Sequence, residues 1–293
     1  MPIDLSGFDV PGRGRGILDV FRRQYLLQLL VRKGTATRYR NSVLGWVWSY
    51  VKPAAQFVIY YFVMGVILQM DRGIANFPIY LFSGVVAVNL FNEAFGNATT
   101  AIVDNRALVK KIYLPRELFP IAAIIIAFIH FLPQVAILLI VCLLVGWTPT
   151  LLGIGGILLG VVVVLAFALG LGLLFAGLNV RYRDAENFVE LIRMFSTWTS
   201  PVLYPWVLVQ VALQNHEWLF NIYTWNPLTV AVELFHQGWW AGTTDAPDVG
   251  EADPSILPNF GVAVLVAAVI CVLLTIIGQT VFRHYERSFA QDL

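Results

Sequence analysis

The sequence predicts an all-α integral membrane protein with six transmembrane helices, an N-terminal amphipathic interface helix and short re-entrant helices on the outer side. Three observations predict it. First, 58% of the 293 residues are hydrophobic, only 13% are charged, and the mean hydropathy is +0.74. A soluble domain is usually about a quarter charged, so this chain cannot wet a globular surface, and it is too apolar for disorder. Second, six stretches carry the roughly 20 apolar residues that a helix needs to cross a bilayer core: 44–68, 77–103, 118–146, 151–179, 188–208 and 259–282. Third, the 15 Arg and 4 Lys fall in clusters at 13–52, 106–116, 181–193 and 283–287, and the intervening loops hold only Arg72. The positive-inside rule then places both termini in the cytoplasm, in agreement with an even number of spans. The net charge of +1 gives no reason to expect a nucleic-acid partner. Cys142 and Cys271 lie in apolar runs, which excludes a disulfide framework and a CxxC metal site.

Residues 1–43 form a polar, basic cytoplasmic segment with no cleavable signal peptide. Within it, Leu18, Phe21, Tyr25 and Leu29 recur at helical spacing opposite Arg22, Arg23, Gln28, Arg32 and Lys33. That is a helix lying in the membrane interface, read either as an anchor or as a surface for a cytoplasmic partner. Residues 44–282 form the six-span domain, and 283–293 a cytoplasmic tail.

The second span carries Asn89, Glu93, Asn97, Thr100 and Asp104 at spacings of 4, 4, 3 and 4, one stripe on one helix face. A carboxylate at mid-span costs a few kcal/mol unless paired or hydrated. The stripe is therefore either a hydrogen-bonded seam, with His130 of the third span as a candidate partner, or the lining of a pathway. The fourth span has small residues four apart at Gly156 and Gly160, Ala166 and Gly170, and Gly172 and Ala176, the pattern of close helix packing. The fifth span contains Glu190, Arg193, Ser196, Thr197, Thr199 and Ser200, which is polar for a lipid-facing helix, and Ser196 and Ser200 join the candidate pathway residues.

Residues 209–258 form the one large outer feature. Its apolar pieces are too short to cross and suggest helices that dip in and return, which the bilayer tolerates only where protein or water covers the backbone. Its tail, with Asp245, Asp248, Glu251 and Asp253, is an acidic exposed loop. Aromatic residues crowd this boundary. Trp198, Tyr204, Trp206 and Trp225 are candidates for stacking on sugar rings, and an interfacial aromatic belt is the other reading.

No GxxxxGK[ST] occurs, so the chain has no P-loop for ATP. Neither GxSxG nor HExxH is present, and neither catalytic nor metal-ligating residues are expected. Energy for uphill movement would come from another chain or from an ion gradient.

Several stretches, in consistent order over about 17–290, resemble the ABC-2 type polysaccharide exporter permeases. They are Arg38-Tyr39-Arg40-Asn41-Ser42-Val43-Leu44-Gly45 followed by Trp46-Val47-Trp48 and Pro53, then 105–117, which begins Asn105-Arg106-Ala107 and ends Leu114-Pro115-Arg116-Glu117. Asn179-Val180-Arg181-Tyr182-Arg183-Asp184, Ser200-Pro201-Val202-Leu203-Tyr204, Asn226-Pro227-Leu228 and Tyr285-Glu286-Arg287-Ser288-Phe289-Ala290 follow. Leu114 and Tyr182 depart slightly from the family pattern. The family includes O-antigen, teichoic acid, capsule and actinobacterial galactan exporters, and the Arg-over-Lys bias of a GC-rich genome tilts the expectation toward a galactan.

The resemblance implies a six-span half-transporter in the inner membrane, a homodimer, and two copies of a separate ABC ATPase that bind ATP and Mg. It implies a lipid-linked polysaccharide moving between the two permease copies. It also gives the cytoplasmic connectors a role. Arg106, Lys110, Lys111, Arg116 and Glu117 would dock into the ATPase as a coupling helix, with Arg181, Arg183 and Asp184 as a smaller contact. A solvated positive-inside loop is the other reading. The alternatives in function are a polytopic enzyme acting on lipid-linked sugars, an ABC-2 exporter of a different substrate, and an ion-coupled carrier. The only acidic loop lies outside, away from nucleotide-sugar donors. Glu93 stands nearly alone among intramembrane carboxylates, and no inverted repeat is evident.

Overall fold

The structure is a computed structural model that describes residues 16, 20, 23–38, 45–111, 114–244, 257–286 and 288–293, without the side chains of 37, 38, 46, 290 and 291. Leu18, Phe21 and Arg22 of the amphipathic helix, most of the motif at 38–45, the acidic loop and Arg287 lie outside the described residues. Among the described residues all regular structure is helical.

In chain order the helices are α1 (Gln24–Arg38), α2 (Trp48–Tyr60), α3 (Phe77–Asp104), α4 (Arg106–Lys111), α5 (Leu118–Val145) and α6 (Leu151–Arg181). They continue with α7 (Ala185–Trp198), α8 (Trp206–Ala212), α9 (Glu217–Trp225), α10 (Pro227–Phe235), α11 (Phe260–Glu286) and α12 (Phe289–Asp292). A π-helical turn extends α2 over Tyr61–Ile67, and another follows α10 over His236–Trp240. Helix ends are set by local chemistry. Thr150 caps α6, its hydroxyl accepting from the Gly153 amide at 3.0 Å. Asn226 caps α10 in the same way, with Pro227 at the first helical position. Gly146 closes α5 in the left-handed region at φ 94.

Among the described residues, five helices are long and apolar enough to cross a membrane: α2 with its π-turn, α3, α5, α6 and α11. The sixth stretch, expected as one span over 188–208, is not a continuous helix. It is α7, a turn over 199–205, and α8. Pro201 and Pro205 explain the break, because each lacks an amide hydrogen and disfavours helix at the residue before it. At about 1.5 Å per residue α7 rises only ~21 Å, short of the ~30 Å hydrocarbon core. The turn carries the chain farther, since the Tyr80 hydroxyl near the start of α3 donates to the Pro201 carbonyl at 2.9 Å.

Helix α3 is the centre of the bundle, packed by α2, α5, α6, α7 and α10. Its most apolar window is 83% buried, against 17% for α11 and 6% for α2, so α2 and α11 face outward in the single chain. Helix α6 is the hub that the small-residue pairs anticipated. Gly156 and Gly160 receive α10, Gly172 receives Ala98 of α3, and Gly170 receives α11, where an added methyl group would stand 2.9 Å from the Leu274 carbonyl carbon. Packing this close is how helices associate where lipid removes the hydrophobic drive between them.

Two ends of the bundle can be told apart. At one end the Asn76 side chain donates to the Thr243 carbonyl at 2.7 Å, the Trp240 indole to the Ala75 carbonyl at 2.6 Å, and the Trp147 indole to the Gly238 carbonyl at 3.1 Å. At the other, α4, the close of α6 and the close of α11 share one apolar cluster. This second end carries the Lys and Arg clusters of 106–116, 181–183 and 283.

Candidate functional site

The polar stripe of α3 is the helix's least buried face. Asn89, Glu93, Asn97 and Thr100 are half-buried while nearly every other residue of 77–102 is buried. The stripe lines two adjoining cavities. One, of about 290 Å³, is bounded by Lys52 and Gln56 of α2, Asn89, Glu93 and Asn97 of α3, Gln134 of α5 and Arg193 of α7. The other, of about 400 Å³, lies toward the basic end between α1, α3 and α5, with Lys33, Asn97, Thr100 and Asp104 on its walls. Asn97 lines both, so the two cavities lie end to end along the polar face of α3, a groove in two parts.

The stripe is both hydrogen-bonded and open to the groove. Glu93 Oε1 lies 2.6 Å from His130 Nδ1, the seam partner, and the Asn89 amide donates to Gln134 at 3.4 Å. Yet the Glu93 side chain stays 20% exposed to the groove while His130 is 2% exposed. A hydrogen-bonded carboxylate that keeps one edge open is affordable inside a membrane protein and still accessible to a polar solute. Arg193 adds a cation, and its guanidinium lies over Gly96 so closely that a methyl there would meet Nη1 at 2.8 Å. The absence of a side chain at Gly96 gives Arg193 room to lie against α3.

Ser196 and Ser200 fare differently from the stripe. The Ser196 hydroxyl sits 2.9 Å from Asn92 Oδ1 at the back of the groove, and Ser200 is fully buried, bonding to the Ser196 carbonyl. Neither lines the cavity. Lys52, Asn92 and Gln134 were not singled out from the sequence. They come from three helices, and no spacing within one helix brings such residues together.

The four outer aromatics also divide. Trp198, Tyr204 and Trp225 line one largely apolar cavity of about 690 Å³ together with Leu219, Ile222 and Tyr223. Trp206 is not among them. It is buried and packs near Phe220, ring centroids 6.4 Å apart. Burial pushes the Tyr223 phenol pKa above its usual range. A second buried pair went unnoticed in the sequence: Glu233 and His236, 3.3 Å apart, with the His236 ring stacked 3.8 Å from Tyr80. A single Glu in an apolar helix and a His three residues on is the signal that could have found it.

The charged connectors lie at the basic end. On α4, Arg106, Lys110 and Lys111 are exposed, while Leu108 is half-buried and Val109 buried. Arg181, Arg183 and Asp184 are exposed as well. Arg116 is half-buried and donates to the Glu286 carbonyl. Glu117 is buried at 3% exposure and accepts from Gln279 at 2.9 Å, so it faces inward rather than toward a partner. The Lys33 ammonium reaches Asn105 at 3.1 Å, tying α1 to the connector. Among the described residues no group of three or more His, Cys, Asp and Glu side chains could hold a metal ion.

A family model described as "ABC-2 type transporter" matches residues 25–239. The O-antigen export system permease protein RfbA of Klebsiella pneumoniae is 27% identical over 272 residues, covering 92% of this chain and 96% of that protein. RfbA of Myxococcus xanthus is 28% identical over 67% of this chain and 74% of its own length. The polysialic acid transport protein KpsM of Escherichia coli is 24% identical over 74% of this chain and 81% of its own.

Proposed function

The chain belongs to the ABC-2 type transporter family, and we propose that it is the transmembrane permease subunit of an ATP-driven exporter of a lipid-linked polysaccharide across the cytoplasmic membrane. The observation that carries this reading is likeness over 92% of the chain to a permease named for O-antigen export, with a likeness over 74% of it to a polysialic acid transport protein. A chain without a P-loop takes its energy from a partner, here two copies of an ABC ATPase that bind ATP and Mg. Both termini face the cytoplasm, and α7 with its turn is the sixth crossing.

The groove along α3 is the translocation path. Its amides, carboxylate and cations offer many weak contacts to hydroxyl groups, which suits a polymer that must slide. Two copies would bring their grooves together. The exposed apolar face of α7, with Phe188, Leu191 and Phe195, and the barely packed α2 supply surface for that homodimer. Arg106, Lys110, Lys111 and the exposed residues of 181–184 dock on the ATPase, and Trp198, Tyr204 and Trp225 stack on sugars at the exit.

The test is to purify the chain with its co-expressed ATPase and follow lipid-linked polymer in inverted vesicles. ATP-dependent movement that vanishes without this chain supports the reading. Polymer movement that persists without the chain, or sugar transfer catalysed by the chain alone, overturns it. For orientation, Asn215→Cys should react with an impermeant maleimide in intact cells and Lys110→Cys should not. The reverse labelling contradicts the topology.

A further inference from the structure

The two connectors are far apart in sequence, yet both touch the same short segment, 285–289. From 106–117, the Arg116 guanidinium lies 5.6 Å from the Phe289 ring centroid and donates to the Glu286 carbonyl. From 181–184, the Arg181 guanidinium lies 6.0 Å from the Tyr285 ring, and the Tyr182 ring meets Tyr285 edge-on at 6.4 Å. Phe289 itself is fully buried. It packs edge-on against Phe282 with centroids 5.4 Å apart, in a cluster that takes Ile102 from α3, Val109 from α4, Phe119 from α5 and Val180 from α6. One ring thus joins a core to which α3, α4, α5, α6 and α11 all contribute at this end.

The arrangement has a mechanical consequence. Helix α4 is only six residues long, too short to be a stable helix alone. Its outer face carries charge, and its inner face, through Val109, rests on the Phe289 cluster. A close-packed apolar contact is stiff and transmits displacement. Tyr285, Glu286 and Phe289 thus give the charged faces of the two connectors a shared support.

We propose that the segment 285–289 is a bridge that locks the connectors 104–117 and 181–184 into one rigid ATPase-docking surface, with Phe289 as its positioning residue. The proposal rests on the reading that these connectors meet an ATPase. Helix α11 thereby receives the stroke directly at its end, in addition to any motion passed through α3 and α5.

The experiment uses the full chain with its co-expressed ATPase in membranes, comparing Phe289→Ala, Phe289→Leu and Tyr285→Leu. The expected result for Phe289→Ala is a complex recovered within twofold of wild type, ATP hydrolysis retained, and polymer export reduced more than tenfold. Phe289→Leu, which keeps most of the volume, should recover at least half of the export, and Tyr285→Leu should lower export per ATP hydrolysed about threefold. Export per ATP unchanged in Phe289→Ala overturns the proposal. If Phe289→Ala does not assemble, Tyr285→Leu decides, because it leaves Phe289 and the other fully buried members of the cluster unchanged: normal coupling there overturns the bridge, and reduced coupling with normal assembly supports it. Failure of the wild-type chain to associate with any ATPase would instead sink the underlying functional reading and is visible in the same preparation.

Discussion

The two ends of the bundle are built on opposite plans. At the basic end, segments distant in sequence converge on one apolar cluster, with charge turned outward from α4 and from 181–184. At the aromatic end, the chain breaks into α8, α9, α10 and two irregular turns. There Trp206 Nε1, His236 Nε2, Gln237 Nε2 and Trp239 Nε1 are buried with no hydrogen-bond partner. Each such group costs roughly 1–3 kcal/mol relative to a satisfied one. One end is a closely packed apolar joint, the other an irregular, aromatic-rich region with several buried polar groups. Between them α3 carries a polar face that is both hydrogen-bonded and open. If the proposed function holds, the difference teaches that force and substrate are handled by different chemistry: packed apolar contacts for the stroke, polar and aromatic surfaces for the polymer.

The sharpest way to break this comparison is at the basic end. If α4 docks on the ATPase as proposed, replacing Lys110 and Lys111 with Glu reverses the charge of the docking face, and like charges across an interface cost several kcal/mol. Co-purification with the ATPase should fall more than tenfold. Undisturbed assembly and export in this double variant would remove α4 from the docking surface.

The groove comes next. Glu93→Gln preserves shape and removes the charge beside His130. Export should drop about fivefold, roughly 1 kcal/mol, while complex yield and ATP hydrolysis hold. Full export would make Glu93 a packing residue of the seam.

At the aromatic end the effects should be smaller and should split. Trp206→Leu removes a buried ring, and the expected loss is of order 1–3 kcal/mol in stability, seen as lower yield of folded complex in proportion to export. Trp198→Leu and Trp225→Leu alter partly exposed walls of a cavity. Their export should fall two- to fivefold at normal yield, the scale of about 0.5–1 kcal/mol for a lost aromatic contact. If every export defect among these variants tracks yield, the belt reading stands and sugar stacking does not.

The sequence made some of this legible, for physical reasons. The stripe on α3 was readable because helical periodicity puts Asn89, Glu93, Asn97 and Thr100 on one face without any tertiary knowledge. The small-residue pairs of α6 were readable for the same cause. The break at 199–205 was less so. An apolar run such as Pro201-Val202-Leu203 counts toward a span, and the two prolines that end the helix carry no hydropathy signal. Arg193 could be seen as polar, but its reach over Gly96 into the groove depends on how α7 lies on α3. Trp206 looked like its neighbours, since burial is a tertiary property that composition does not encode. The pairing of 116 and 181 with 285–289 likewise arises only when three distant segments meet.

The central claim is that the groove along α3 carries the polymer, and a crosslinking measurement addresses it most directly. A photoactivatable residue placed at Asn97, which belongs to both cavities, should capture radiolabelled lipid-linked polymer in energised membranes and lose the product when ATP is withheld. The same residue at Leu265, exposed on the outward side of α11, should capture lipid only. Export at the normal rate with no polymer captured at Asn97, or equal capture at Leu265, would contradict the account.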